Sequence, residues 1–195
     1  MNTRREFVQN IIDFVHAKSY LEIGICTRYT FDNIVASYKI SVDSNPGYNP
    51  TYAVTSDNFF KVNKETFDVI FIDALHEREQ VIRDINNSIQ CLNPNGVIVT
   101  HDTLPLEKCQ IDSSLCWSAW EAFAHLRKTN SNIYMASVII DGEPVGVGVI
   151  CHGYQEIFKA DLPYTYENYE LYRKEWMNVI SEDELLLQLK MQLKI

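Results

Sequence analysis

The run Phe67-Asp68-Val69-Ile70-Phe71-Ile72-Asp73 restricts what this chain can fold into more than any other stretch. It is apolar at nearly every position, rich in β-branched and aromatic residues, and too short for an ordinary helix. A strand with one wet face alternates apolar and polar residues, whereas one that reads like this is covered on both faces, as at the centre of a parallel sheet. Such a strand needs helices above and below it, and the flanking sequence supplies them. Residues 4 to 17 place Phe7, Ile11, Phe14 and Val15 at helical spacing. Residues 29 to 37 can form a second helix. Residues 76 to 91 carry Val81, Ile82, Ile85 and Ile89 on one face and stop at Asn93-Pro94-Asn95-Gly96. Trp117 to Lys128 and the Leu-rich stretch Glu182 to Leu193 complete the set.

Further strands fall between these helices. Tyr20-Leu21-Glu22-Ile23-Gly24, Tyr38 to Val42, Tyr52-Ala53-Val54-Thr55 and Val97-Ile98-Val99-Thr100 are short and apolar. Tyr134 to Ile140 and Val145 to Cys151 flank Asp141-Gly142-Glu143-Pro144, a hairpin turn. Residues 103 to 115 read as a loop, and Asp161 to Tyr172 as a Tyr-rich irregular segment. Alternating strands and helices predict an α/β fold, a seven-stranded mostly parallel sheet with helices on both faces and a C-terminal antiparallel β-hairpin.

A length of 195 residues suits one domain. The formal charge is −9, which repels a phosphate backbone or an anionic lipid surface; neither a nucleic acid nor a membrane is expected as partner. Five cysteines at irregular spacing contain no CxxC pair, so a structural zinc site is not expected and free thiols are. The first residues lack a signal-peptide core, and no stretch approaches the roughly 20 apolar residues of a membrane span. A soluble, cytoplasmic protein is the expectation.

Polar residues collect where ligands bind in open α/β sheets, beyond the carboxyl ends of the strands. The first strand ends in Glu22-Ile23-Gly24, the second in Asp43, the third is followed by Asp57, the fourth ends in Asp73 with His76 three residues on, and the fifth in His101-Asp102. One such acid would mean little, since Asp favours turns and helix caps. Five in succession point to a site.

The segments Tyr20–Gly24, Val42-Asp43, Ser56-Asp57, Phe71-Ile72-Asp73-Ala74-Leu75-His76 and Leu92 to Asp102 together resemble the class I S-adenosylmethionine-dependent methyltransferases, in particular the small-molecule O-methyltransferases of the catechol and sugar or macrolide types. The resemblance implies a Rossmann-like fold and a single domain over 1–195: a lead-in helix in 1–17, the core in 18–152, and the Tyr-rich segment with the last helix in 153–195. It implies that Gly24 lets the backbone approach the methionine part of the cofactor and that Glu22 orients this loop or the cofactor's amino group. Asp43, with Ser44 beside it, would accept from the ribose hydroxyls, and Asp57, with Asn58, would take the adenine. Asp73 would border both the cofactor and the reacting groups. The first loop departs from the pattern: Arg28 stands where these relatives carry a later Gly, and it either pairs with the cofactor carboxylate or points to solvent.

The same relatives hold magnesium at the positions of Asp73 and Asp102, where hard oxygen donors suit that ion. An Asn follows the second Asp in the catechol type, and Thr103 stands there in this chain. His76 occupies the position of a general base that would take a hydroxyl proton during methyl transfer. The expected activity is O-methylation of a hydroxylated small molecule, such as a sugar or polyketide-type product. Bland readings stand beside these: Asp73 and Asp102 as helix caps, His76 without a chemical role, and tyrosines 164, 166, 169 and 172 covering an apolar edge rather than closing over an acceptor. Two other functions compete, a binding module that keeps the cofactor fold without transfer and a nicotinamide-dependent oxidoreductase. The second lacks the GxGxxG that a dinucleotide turn needs. The Leu-rich last helix is either a homodimer face or a core helix.

Overall fold

A computed structural model of the chain describes residues 3–111, 115–158 and 161–195. Its elements in chain order are α1 (Arg4–Phe14), β1 (Ser19–Ile23), α2 (Tyr29–Asn33), β2 (Tyr38–Asp43), β3 (Tyr52–Ala53), α3 (Ser56–Val62), β4 (Phe67–Ile72), α4 (Arg78–Gln90), β5 (Leu92–Leu104), α5 (Lys108–Ile111), α6 (Ala119–Thr129), β6 (Ile133–Val138), β7 (Gly146–His152), α7 (Tyr166–Met177) and α8 (Glu182–Leu193). The strands form one seven-stranded sheet in the order β3-β2-β1-β4-β5-β7-β6. β1 to β5 pair in parallel, and β7 pairs antiparallel with both β5 and β6. This is the expected Rossmann-like α/β sheet with its C-terminal antiparallel hairpin. The chain runs outward from β1 through β2 to β3 and then returns to β4 on the other side of β1, so the order reverses between β1 and β4.

β4 shows why the sheet needs two covered faces. Phe67, Ile70 and Ile72 lie in one core, with Val81 and Ile85 of α4, Trp120 and Phe123 of α6, and Tyr169 and Trp176 of α7. Val69 and Phe71 face the other, with Phe7, Val8, Ile11 and Ile12 of α1, Phe31 of α2, and Leu185, Leu189 and Leu193 of α8. Alternate residues of one strand therefore feed opposite layers. Thr3 and Glu6 close a capping box on α1, and Ser181 caps α8 above a first turn of three acids.

Several expectations need correcting. Tyr166–Met177 is a helix, not an irregular segment: Thr165 caps it, and Tyr169 and Trp176 pack on Trp120 of α6 with ring centroids 4.9 and 6.4 Å away. Tyr169 also donates its hydroxyl to the Pro105 carbonyl at 2.7 Å. Within 103–115, β5 continues to Leu104 and α5 follows, while residues 112–114 lie outside those described. α2 ends at Asn33 rather than at residue 37. α8 buries one face on the sheet but leaves Leu187 and Met191 exposed on the other. All five cysteines are free. No helix among the described residues is long and apolar enough to cross a membrane.

Candidate active site

The order reversal opens a cleft of about 380 Å³ at the carboxyl ends of β1, β2 and β4, a volume within the usual range for small-molecule sites. Gly24, Asp43, Ser44 and Asp73 line it, as do Thr55, Ser56, Gln80 and Asp84 on its far wall. Gly24 has φ +83°, and a Cβ there would stand 2.1 Å from the Asp73 carbonyl oxygen. Only glycine lets the β1 loop lie this close to the end of β4.

Asp43 organises the facing loop. Its Oδ2 accepts from the backbone N–H of Ile25 at 3.0 Å and of Cys26 at 3.4 Å, and its Oδ1 from Asn45 N–H at 2.8 Å. Each carboxylate oxygen has two acceptor sites, so capacity remains for a ligand hydroxyl in the cleft. Asp43→Ala removes both functions and is expected to weaken nucleoside-cofactor affinity by about tenfold or more. Calorimetry with S-adenosylhomocysteine checks this, and unchanged affinity would remove Asp43 from the site.

Three of the expected cofactor residues do not line the cleft. Glu22 is buried, and its carboxyl accepts the Tyr20 hydroxyl at 2.5 Å. Burial pushes its pKa up to about 8, from an ordinary value of 4.5. The native chain thus keeps this proton longer than the unfolded chain, and the ionisation penalty erodes stability as pH rises from 4.5 to about 8. Glu22→Gln is expected to match the wild type at pH 4 and to exceed it by on the order of a few kcal/mol above pH 8, read by denaturant unfolding across that range. Asp57 turns to Arg83, Oδ1 to Nε 3.3 Å, because it sits in the first turn of α3 on the side facing α4. Asn58 accepts from Lys61 Nζ at 3.2 Å. Arg28 pairs with Asp32 at 2.8 Å and donates to the Asn49 carbonyl, so it also stands away from the cleft.

Beside the cleft, Asp73 joins a cluster of titratable groups. β5 bulges between the pairs Thr100–Gly148 and Leu104–Gly146, and Asp102 has φ +56°. In a regular strand His101 and Asp102 would point to opposite faces. The bulge turns both toward Asp73, at the cost of a backbone conformation that non-glycine residues seldom adopt. His101 Nδ1 lies 2.9 Å from Asp102 Oδ2 and 3.6 Å from Asp73 Oδ1. His76 Nε2 lies 3.1 Å from Asp102 Oδ2 and 4.0 Å from Asp73 Oδ1. The His76 backbone is pinned from α6, where Ser118 donates both its N–H and its hydroxyl to the His76 carbonyl.

Arg4, at the start of α1, closes the cluster from the opposite layer. Its guanidinium is 3.8 Å from Asp73 Oδ2 and 3.4 Å from His101 Nε2, and its backbone N–H donates to Glu143 at 2.8 Å. Burial favours neutral carboxyls here, but His101 and His76 outweigh it and hold Asp73 and Asp102 below the usual range, with Arg4 adding to the effect on Asp73. Burial would likewise lower His101, yet the two carboxylates raise it to about 9. Arg4, Glu143, Gln80 and Asp84 carry no sequence signal. They reach the site from elements whose docking only the fold determines.

Asp73, His76 and Asp102 each offer one ligand atom, all within 4.8 Å of one another. Asp102 turns its Oδ2 toward both imidazoles, while its Oδ1 is buried without a hydrogen-bond partner among the described residues. Two carboxylates and an imidazole fit a divalent ion. Thr103 adds nothing to the set, because its hydroxyl bonds Thr100 at 3.1 Å inside the sheet.

A glycine-tight β1 loop, an acid at the end of β2 and a cleft at the order reversal define a class I methyltransferase architecture. The chain belongs to a family described as a methyltransferase domain, whose model matches residues 4–103. No curated protein matches it. Cofactor-bound Rv0187 from MTB is similar in structure at a TM-score of 0.63 and 14% identity, over 76% of this chain and 79% of that one. The O-methyltransferase TomG from Streptomyces achromogenes, in complex with SAM, is similar at a TM-score of 0.58 and 11% identity, over 76% and 79%. An O-methyltransferase from Bacillus cereus, in complex with SAH, follows at 0.54 and 14%, over 78% and 81%.

Proposed function

We propose that the chain transfers the methyl group of S-adenosylmethionine to a hydroxyl of a small molecule. One observation carries this reading: Asp73 both lines the cleft and stands in the His76–Asp102 cluster, so a cofactor in the cleft would end where a proton acceptor begins. Gly24 and Asp43 hold the cofactor, with Ser44 beside the ribose. Asp102 orients His76, whose ring takes the acceptor's proton. The acceptor oxygen attacks the methyl carbon in line, the C–S bond breaks with its electron pair moving to sulfur, and S-adenosylhomocysteine leaves. Alignment and deprotonation are the protein's main contributions.

The grouping of Asp73, His76 and Asp102 supports a metal-assisted form of the same reaction. A magnesium or similar ion on Asp73 and Asp102 would make a bound hydroxyl more acidic. The three-atom geometry also admits His76 as a third ligand, and a ligating imidazole cannot serve as the base. Full activity in excess chelator would exclude both metal forms and leave His76 as base.

The acceptor is proposed to be a small hydroxylated compound rather than a nucleic acid or membrane, in keeping with the charge of −9, and the cytoplasm is the proposed location. The exposed Leu187 and Met191 of α8 suit a homodimer contact. The test is transfer of isotopically labelled methyl from S-adenosylmethionine to a panel of sugars and phenolic or polyketide-type hydroxyl compounds. Tight S-adenosylhomocysteine binding with no transfer to any of them would favour the non-catalytic binding module.

A further inference from the structure

We propose that α8 is the seam of an antiparallel homodimer, in which Leu187 of one copy of the chain lies over Met191 of the other and Glu184 over Lys194. The inference rests on the homodimer reading of α8 above and is independent of the methyl-transfer chemistry. α8 buries Leu185, Leu189 and Leu193 against the sheet. Its outward face carries Glu184, Leu187, Met191 and Lys194, all exposed, with Leu187 at 58% and Met191 at 60%. Those four positions follow one another at intervals of three, four and three residues. That is the spacing of the a and d positions of a coiled coil, which keeps one narrow stripe in line with a partner helix.

The charges select both the occupant and its direction. Glu184 and Lys194 take part in no ion pair among the described residues. Lys190, the other cation of the helix, is turned aside over the Phe14 ring, Nζ to centroid 6.0 Å. An antiparallel partner related by a twofold axis sets Glu184 on Lys194 twice, because every contact of an isologous interface occurs in both directions. The same register sets Leu187 on Met191, since both pairs are centred on Leu189. A parallel partner would stack Glu184 on Glu184 and Lys194 on Lys194, which like-charge repulsion opposes. Beyond the helix, Tyr154 is 64% exposed and widens the patch on the β7 side. Gln192 holds it there, accepting from Tyr154 N–H at 3.0 Å and donating to the Tyr154 carbonyl at 3.3 Å. A single exposed leucine is ordinary on a protein surface, whereas a stripe complementary to its own reversed copy is what a twofold interface needs. One helix pair with its flank covers less than about 1,200 Å², the small end of specific interfaces, so the dimer is a weak one of micromolar affinity.

Sedimentation equilibrium of the whole chain, from low to several hundred micromolar, tests the pairing, with circular dichroism to check that each variant is folded. The wild type is expected to pass from monomer to dimer over that range. Glu184→Lys and Lys194→Glu each bring like charges together twice, and each is expected to weaken the dimer by about tenfold. The double variant Glu184→Lys/Lys194→Glu restores the pair with its signs exchanged and is expected to recover to within about threefold of the wild type. A merely disturbed helix would not recover, because the double variant opposes the helix dipole at both ends. Leu187→Asp is expected to be a folded monomer. Single reversals without effect on a wild type that does dimerise, a double variant that fails to recover, or a folded Leu187→Asp that still dimerises would overturn the antiparallel seam while leaving a homodimer through another face. A wild type that stays monomeric throughout would instead defeat the homodimer reading and the seam together.

Discussion

Gly24→Ala is expected to abolish cofactor binding and to destabilise the chain by about 3 kcal/mol or more. Two costs add. A φ of +83° is unfavourable for any residue with a Cβ, by roughly 1–2 kcal/mol. The larger cost is contact, because the new Cβ would meet the Asp73 carbonyl oxygen at 2.1 Å and Ala74 Cα at 2.8 Å. Both are backbone atoms and cannot rotate away. The neighbouring backbone is also held, since Asp73 N–H donates to the Ile23 carbonyl at 2.9 Å in the β1–β4 ladder. The ends of β1 and β4 must therefore separate, which displaces Asp73 and deforms the cleft. Urea unfolding and calorimetry read the two effects. Near-wild-type stability with intact affinity would mean that the loop does not pack as described.

His76→Ala is expected to lower turnover by about 10²–10⁴-fold, the usual range for loss of a general base, while S-adenosylhomocysteine affinity stays within about twofold. The split follows from position: His76 reaches Asp102 at 3.1 Å but does not line the cleft. Asp102→Asn is expected to mimic part of the loss, and the double variant to be little worse than His76→Ala, because the two act as one unit. Strictly additive losses would separate them. Equal loss of turnover and cofactor affinity in His76→Ala would make the imidazole a packing residue rather than the base.

The fold was legible where burial writes a period into the chain. The double-sided strand around Phe71, the amphipathic stretch of α1 and the Leu-rich stretch of α8 all read directly from residue spacing. α7 was obscured because Tyr166, Tyr169 and Tyr172 suggest a surface cluster, although their three-residue spacing follows the helical face that packs on Trp120. The site was half legible. Strand ends expose acids in sequence order, which is how Asp43, Asp73 and Asp102 come into view. Helix faces conceal their polar contributions: Asp84 sits between Val81 and Ile85 and looks like a solvent position on a wheel drawn through Val81, Ile82, Ile85 and Ile89. Asp57 lies off the cleft lining for the reverse reason, since following a strand end does not determine which way a residue in a helix's first turn points. Arg4 lies 69 positions from Asp73 in sequence, and only the packing of α1 beside β4 brings them within 3.8 Å.

A crystal structure of the chain grown with S-adenosylhomocysteine tests the central claim most directly. The predicted result is one ligand in the cleft at the β1–β4 reversal, its ribose on Asp43 and its sulfur beside Gly24 and Asp73. A ligand seated elsewhere on the molecule, or this cleft left empty at saturating concentration, would contradict the account.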